Sequence, residues 1–175
     1  MKQVVLSFVG EDRAGLVRDL ADIVAEYGGT WQESRMIRLD GQFAGLARVV
    51  FPTEAASIGE QLQSRSTPAM QIVVTEIRDV ASVERKRYAF DLVGPDRPGI
   101  IFETTRELAE HQANIIEMSS SVSPAPMSGT PMFACSGIVE VSVDRSLPEP
   151  ADWALGDVLS VDFNIVETAD DAASG

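Results

Sequence analysis

The chain has one cysteine and one histidine in 175 residues. A single cysteine excludes an internal disulfide and points to a reducing compartment, so a cytoplasmic location is expected. A structural metal site needs several His, Cys or carboxylate ligands at set spacings. No such cluster occurs, and no motif implies a cofactor. Cys135 lies on one side of an alternating apolar run, Phe133 to Val143, and reads as a small buried hydrophobe. It has no basic neighbour that would mark a nucleophile. His111 stands where a helical pattern ends and reads as a cap or packing residue. Basic residues are scarce as well, 14 against 27 acidic, for a net charge of −13. A phosphate backbone or an anionic bilayer attracts clustered Lys and Arg, so this balance argues against direct binding to nucleic acid or membrane. No hydrophobic run is long enough to span a bilayer. The first one is interrupted at Glu11, Asp12 and Arg13, too early for a signal peptide.

What the chain does have is an internal repeat. Gly10–Gly15 reads G-E-D-R-A-G and Gly94–Gly99 reads G-P-D-R-P-G, an offset of 84 residues. The same offset aligns Ala25-Glu26 with Ala109-Glu110 and Glu33 with Glu117. Each motif follows an apolar run of strand character and opens a helical pattern. Asp12 and Asp96 are expected at the N-cap, where a carboxylate accepts from free first-turn N–H groups. Gly15 and Gly99 then fall near the third helical position, where a glycine allows close approach. Helix N-termini favour anions, so the two loops could hold a carboxylate-bearing ligand. The same residues would also suit a plain, well-capped turn.

In order along the chain, Val4–Val9 is a strand. Leu16, Leu20, Ile23, Val24 and Tyr27 mark one face of a helix, and Gly28-Gly29 ends it. Thr30–Leu39 and Ala44–Phe51 are strands joined by the hairpin signal Asp40-Gly41. Residues 54–64 read as a short helix with Ala55, Ile58 and Leu62 inward, and Met70–Ile77 as a strand. The second unit repeats the order: a strand at Tyr88–Val93, a helix over roughly Pro98–Gln112 burying Ile100, Ile101, Leu108 and Ala109, and a strand at Asn114–Val122. The units then diverge. Ser123–Pro131 holds three prolines, which exclude regular structure, and a long exposed loop of this kind is expected to contribute to a protein interface. A strand at Phe133–Val143, a weakly specified helix near Trp153 and a final strand over Leu159–Ile165 complete the unit. The expected domains are residues 1–79 and 87–167, with a linker at 80–86 and a disordered tail at 168–175. Arg85, Lys86 and Arg87 read as a solvated strand entry, and Trp31 and Trp153 as packing residues.

The β-α-β-β-α-β order with a G-x-D-R-x-G loop after the first strand resembles the ACT domain. The resemblance implies an α+β fold of two ferredoxin-like units, each an antiparallel four-stranded sheet with helices on one face. Two units in one short chain, together with Ser123–Phe133, are similar to the glycine cleavage system transcriptional repressor group. The resemblance covers roughly residues 2–167. It implies a non-catalytic regulator that senses a small amino acid such as glycine and acts through a protein partner. A homo-oligomer, a dimer, is expected. The candidate ligand residues are Gly10, Asp12, Arg13, Gly15, Gly94, Asp96, Arg97 and Gly99. By the resemblance, Thr30 and Asn114 join them where a neighbouring unit's second strand begins. Two other readings stay open. One is a regulatory module serving an enzyme of amino-acid metabolism, since ACT units precede catalytic domains in formyltetrahydrofolate hydrolases and phosphoserine phosphatases. The other is a ligand-free interaction scaffold in which the loops are only turns.

Overall fold

A computed structural model describes residues 1–52, 57–77, 84–147 and 160–166. The chain divides into two units, Met1–Val80 and Ala81–Gly175. The first contains β1 (Lys2–Glu11), α1 (Leu16–Glu26), β2 (Thr30–Leu39), β3 (Gln42–Phe51), α2 (Ile58–Gln63) and β4 (Met70–Glu76). The second contains β5 (Arg85–Pro95), α3 (Ile100–Glu110), β6 (Asn114–Pro124), β7 (Pro131–Ser142) and β8 (Ser160–Val166). Each unit builds one antiparallel sheet, in the orders β2-β3-β1-β4 and β6-β7-β5-β8.

Alternation along the strands decides which face is covered. Val4, Leu6 and Phe8 of β1 turn inward and meet Leu16, Leu20, Ile23 and Val24 of α1 and Ile58 and Leu62 of α2. Each such side chain contributes about 1.5–3 kcal/mol on burial, well above the ~1 kcal/mol ceiling of a surface ion pair. Trp31 packs on the same core. In the second unit Tyr88, Phe90 and Leu92 of β5 and Phe133, Cys135, Val139 and Val141 of β7 pack with Ile100 and Leu108 of α3. Gly45 and Gly137 leave room beneath the rings of Phe8 and Phe90, which a Cβ would strike.

Several sequence expectations need correction. Ala109 is exposed, and α3 instead buries Thr104 and Glu107, at positions that hold Leu20 and Ile23 in the repeat. Thr104 satisfies its hydroxyl by donating to the Ile100 carbonyl at 2.8 Å, which is why a polar residue survives there. The prolines do not exclude regular structure after β6. Its ladder with β7 runs to the Pro124–Pro131 pair, because a proline at the last rung forfeits no interior hydrogen bond. Only Ala125–Thr130 turns, closed by Ala125 N–H on Thr130 O at 2.8 Å. β5 takes in Arg85 and Lys86, residues expected in the linker. In β8, Val161 is buried while Ile165 is exposed. The expected helix near Trp153, residues 54–56, most of the linker and the tail lie outside the described residues.

Candidate functional site

Both motif loops are built alike, and not as N-caps made by aspartate. The helices begin at Leu16 and Ile100, and the cap positions are Gly15 (φ 86°) and Gly99 (φ 88°), with no side-chain capping bond in either case. Each aspartate stops short of the helix because its backbone N–H is still held by the hairpin beside the strand it follows. Asp12 N–H donates to Gly41 O at 2.8 Å and Asp96 N–H to Pro131 O at 2.9 Å. The Asp12 carboxylate instead forms an ion pair with Arg38, Oδ2 lying 2.8 Å from Nε. Gly15 and Gly99 are needed because only glycine takes left-handed φ without strain. Gly10 serves close approach, since a Cβ there would lie 2.5 Å from the Ala69 carbonyl oxygen. Gly94 is buried on the corresponding strand. The second glycine's left-handed cap and the Arg38 partner across the sheet are the features sequence reasoning missed. The register that sets Gly10, Phe43 and Arg38 side by side was the available signal for the second.

The motif arginines have partners within their own units. Arg13 Nη2 donates to Asp19 Oδ2 at 2.7 Å. Arg97 meets Glu103 in a two-armed contact, with Nη1 on Oε1 at 2.7 Å. Hydrogen bonds from Arg13 and Arg18 hold the Asp19 carboxyl below the usual carboxylate range, and the bond from Arg97 does the same for Glu103. Each loop is thus tied to the first turn of its helix.

The two loops differ in what surrounds them. The first unit has a cavity of about 180 Å³ lined by Asp12, Arg13, Gly15, Val17, Arg18 and Phe43, among others. The first intrahelical bond of α1 runs from Asp19 N–H to Gly15 O, so the N–H groups of Val17 and Arg18 point out of the helix end. At the positions of Arg18 and Arg38 the second unit has Phe102 and Val122. The first loop is therefore the more cationic of the two.

Thr30 and Asn114 are not brought to the motif of their own unit. Thr30 pairs with Val50, and Val50 with Gln3, at the end of the sheet away from Gly10. Asn114 lies at the corresponding place and donates to Glu140 Oε1 at 3.3 Å. Cys135 is buried, and burial pushes its thiol above the usual value. His111 is the C-cap residue of α3 and lies 3.5 Å from Glu107. Among the described residues no group of three His, Cys, Asp or Glu could hold a metal ion, and no helix is long and apolar enough to cross a membrane.

No curated protein gives a significant sequence match. Among solved structures, a protein of unknown function from Galdieria sulphuraria superposes with a TM-score of 0.78 at 28% identity, covering 95% of this chain and 99% of that one. A candidate glycine cleavage system transcriptional repressor superposes with a TM-score of 0.63 at 16% identity, covering 94% and 98%. Models of the ACT domain match residues 2–75 and again residues 89–143. With two such matches on two β-α-β-β frames, the chain belongs to the ACT-domain family and carries two ACT domains in tandem.

Proposed function

We propose that this tandem ACT protein is a non-catalytic regulator that senses a small amino acid and passes the signal to a protein partner. ACT domains are regulatory modules. The observation that carries the reading is the first unit's motif end, where Arg13, Arg18 and the outward N–H groups of α1 border one small cavity whose Asp12 is paired with Arg38. Such an end suits the carboxylate of an amino acid, and Asp12 suits its ammonium group. Arg13, Gly10 and Gly15 shape the loop. Asp96, Arg97, Gly94 and Gly99 form the weaker second copy. Thr30 and Asn114 lie too far along their own sheets to reach these loops and would be supplied by a second copy of the chain. With a ligand the size of glycine, about five heavy atoms at roughly 1.5 kcal/mol each bound the dissociation constant at the order of micromolar. The net charge of −13 favours a role in transcription exerted through a partner's DNA-binding domain, with the glycine cleavage system as the pathway suggested by fold likeness.

A second reading, a ligand-free scaffold, is favoured by the internal pairing of both motif arginines and by the backbone demands on Gly10, Gly15 and Gly99. A thermal-shift screen against the twenty amino acids separates the two, since a ligand of the native state raises stability by mass action. Sensing predicts a rise for a small number of amino acids. A uniform absence of shift up to millimolar ligand would favour the scaffold.

A further inference from the structure

Among the described residues, the first sheet has one face under α1 and α2, the second has one face under α3, and the other face of each is uncovered. The repeat relates the open faces position by position, and there the units have diverged in a coordinated way. Ser7, Leu46 and Arg35 are register neighbours across β1, β3 and β2. Asp91, Ser136 and Ser119 are their counterparts across β5, β7 and β6. Further along β2, Ile37 answers to Ser121 of β6, and on the opposite edge Val73 of β4 answers to Asp162 of β8. The helix-facing positions show no such change: Val4, Leu6 and Phe8 answer to Tyr88, Phe90 and Leu92, apolar throughout.

The result is two unlike surfaces. On the first unit Leu46, Ile37 and Val73 are 52–63% exposed, and Leu46, Arg35 and Arg48 line a groove of about 240 Å³ over Val5. Arg35 and Arg48 share the single carboxylate of Glu33, which leaves the group net positive. On the second unit two depressions of about 370 and 140 Å³ share Asp91, Ser119 and Ser136. Asp91 lies directly opposite Asp162, with Glu117 on the same depression, and none of the three makes an ion pair among the described residues. Like charges directly opposite one another across a ladder are unfavourable unless a cation meets them.

We propose that the chain forms a closed homodimer in which the open face of the first unit in each copy stacks on the open face of the second unit in the other. At the middle of the faces Leu46, Ile37 and Arg35 then meet Ser136, Ser121 and Asp91, while Arg85 and Arg87 at the end of the second face are already paired with Glu140. The exchange is reciprocal, so a two-fold axis closes the assembly and no filament grows. A four-stranded face about 20 Å wide and about 17 Å long offers on the order of 350 Å². Two such contacts give about 700 Å² per copy, close to the ~800 Å² per partner of stable complexes, whereas one contact falls short.

Sedimentation velocity on the full chain tests this. The wild type is expected at dimer mass. Leu46→Asp, Asp91→Arg and Ser136→Arg are each expected to raise the dimer dissociation constant about tenfold or more, and Arg35→Asp combined with Asp91→Arg to recover part of the loss. All four positions are on open faces, so circular dichroism should show an unchanged fold, and any variant that unfolds is replaced by another of the set. A monomeric wild type overturns the proposal. So does a dimer that survives both Asp91→Arg and Ser136→Arg, including one broken by Leu46→Asp alone, which would mean that first-unit faces pair with each other.

Discussion

Gly15 and Gly99 set the entrance to α1 and α3 at a backbone angle that a side chain makes costly. Gly15→Ala is expected to cost about 1–2 kcal/mol of stability, measured by urea unfolding. Asp12→Ala, by contrast, removes an ion pair to an arginine that is itself largely exposed and should cost less than about 1 kcal/mol. A true aspartate N-cap would reverse that order. The arginine pairs respond to acid with a definite sign. Asp19 and Glu103 have carboxyls lowered in the folded state, so they stabilise the fold above the unfolded-state value and lose that contribution as pH falls through the folded-state value. NMR titration should place both midpoints below those of ordinary carboxylates, and Arg97→Gln should return Glu103 to the usual range while leaving Asp19 where it is. Glu107 is the odd residue of the second core, 7% exposed where the repeat has Ile23. Exchanging a buried polar group for a well-packed apolar one is commonly neutral or stabilising, so Glu107→Ile should raise the melting temperature. A fall would show that the contact with His111 is worth more than the packing it displaces.

At the scale of elements, periodicity made the strands and helices legible, because one buried face forces period two or 3.6 on the residues. Asp40-Gly41 was readable as a hairpin for a similar reason: both residues take positive φ, which few residue types tolerate. The exposed Ala109 and buried Thr104 and Glu107 were not readable, since a polar core residue looks like a surface one until its partner is known. The Pro124–Pro131 rung was hidden because proline's cost depends on whether its position needs an N–H, which register alone decides. The hairpin tip, Ala125–Thr130, places Met127 fully in solvent, as an interface element would. Replacing Ala125–Thr130 with Asn-Gly should leave folding intact, since the Ser123–Met132 rung below it remains. If the tip contacts a regulatory partner, that binding is lost in pull-down with the partner; unchanged binding would remove the tip from the interface.

For the whole molecule, duplication explains what the units share, and function is to be sought where they differ. The candidate ligand end was legible as a motif, but its asymmetry was not. Arg18 and Arg38 gain meaning only once β2 is seen beside β3 and the helix start. Sensing depends on the first unit's motif end binding a small amino acid. Isothermal titration calorimetry of the full chain with the amino acid selected by the thermal screen, set beside Arg38→Gln and Val122→Arg, tests it most directly. Saturable binding at micromolar or weaker affinity is expected, reduced by Arg38→Gln and not reduced by Val122→Arg. Binding that is unchanged in Arg38→Gln, or no binding of any amino acid, would contradict it.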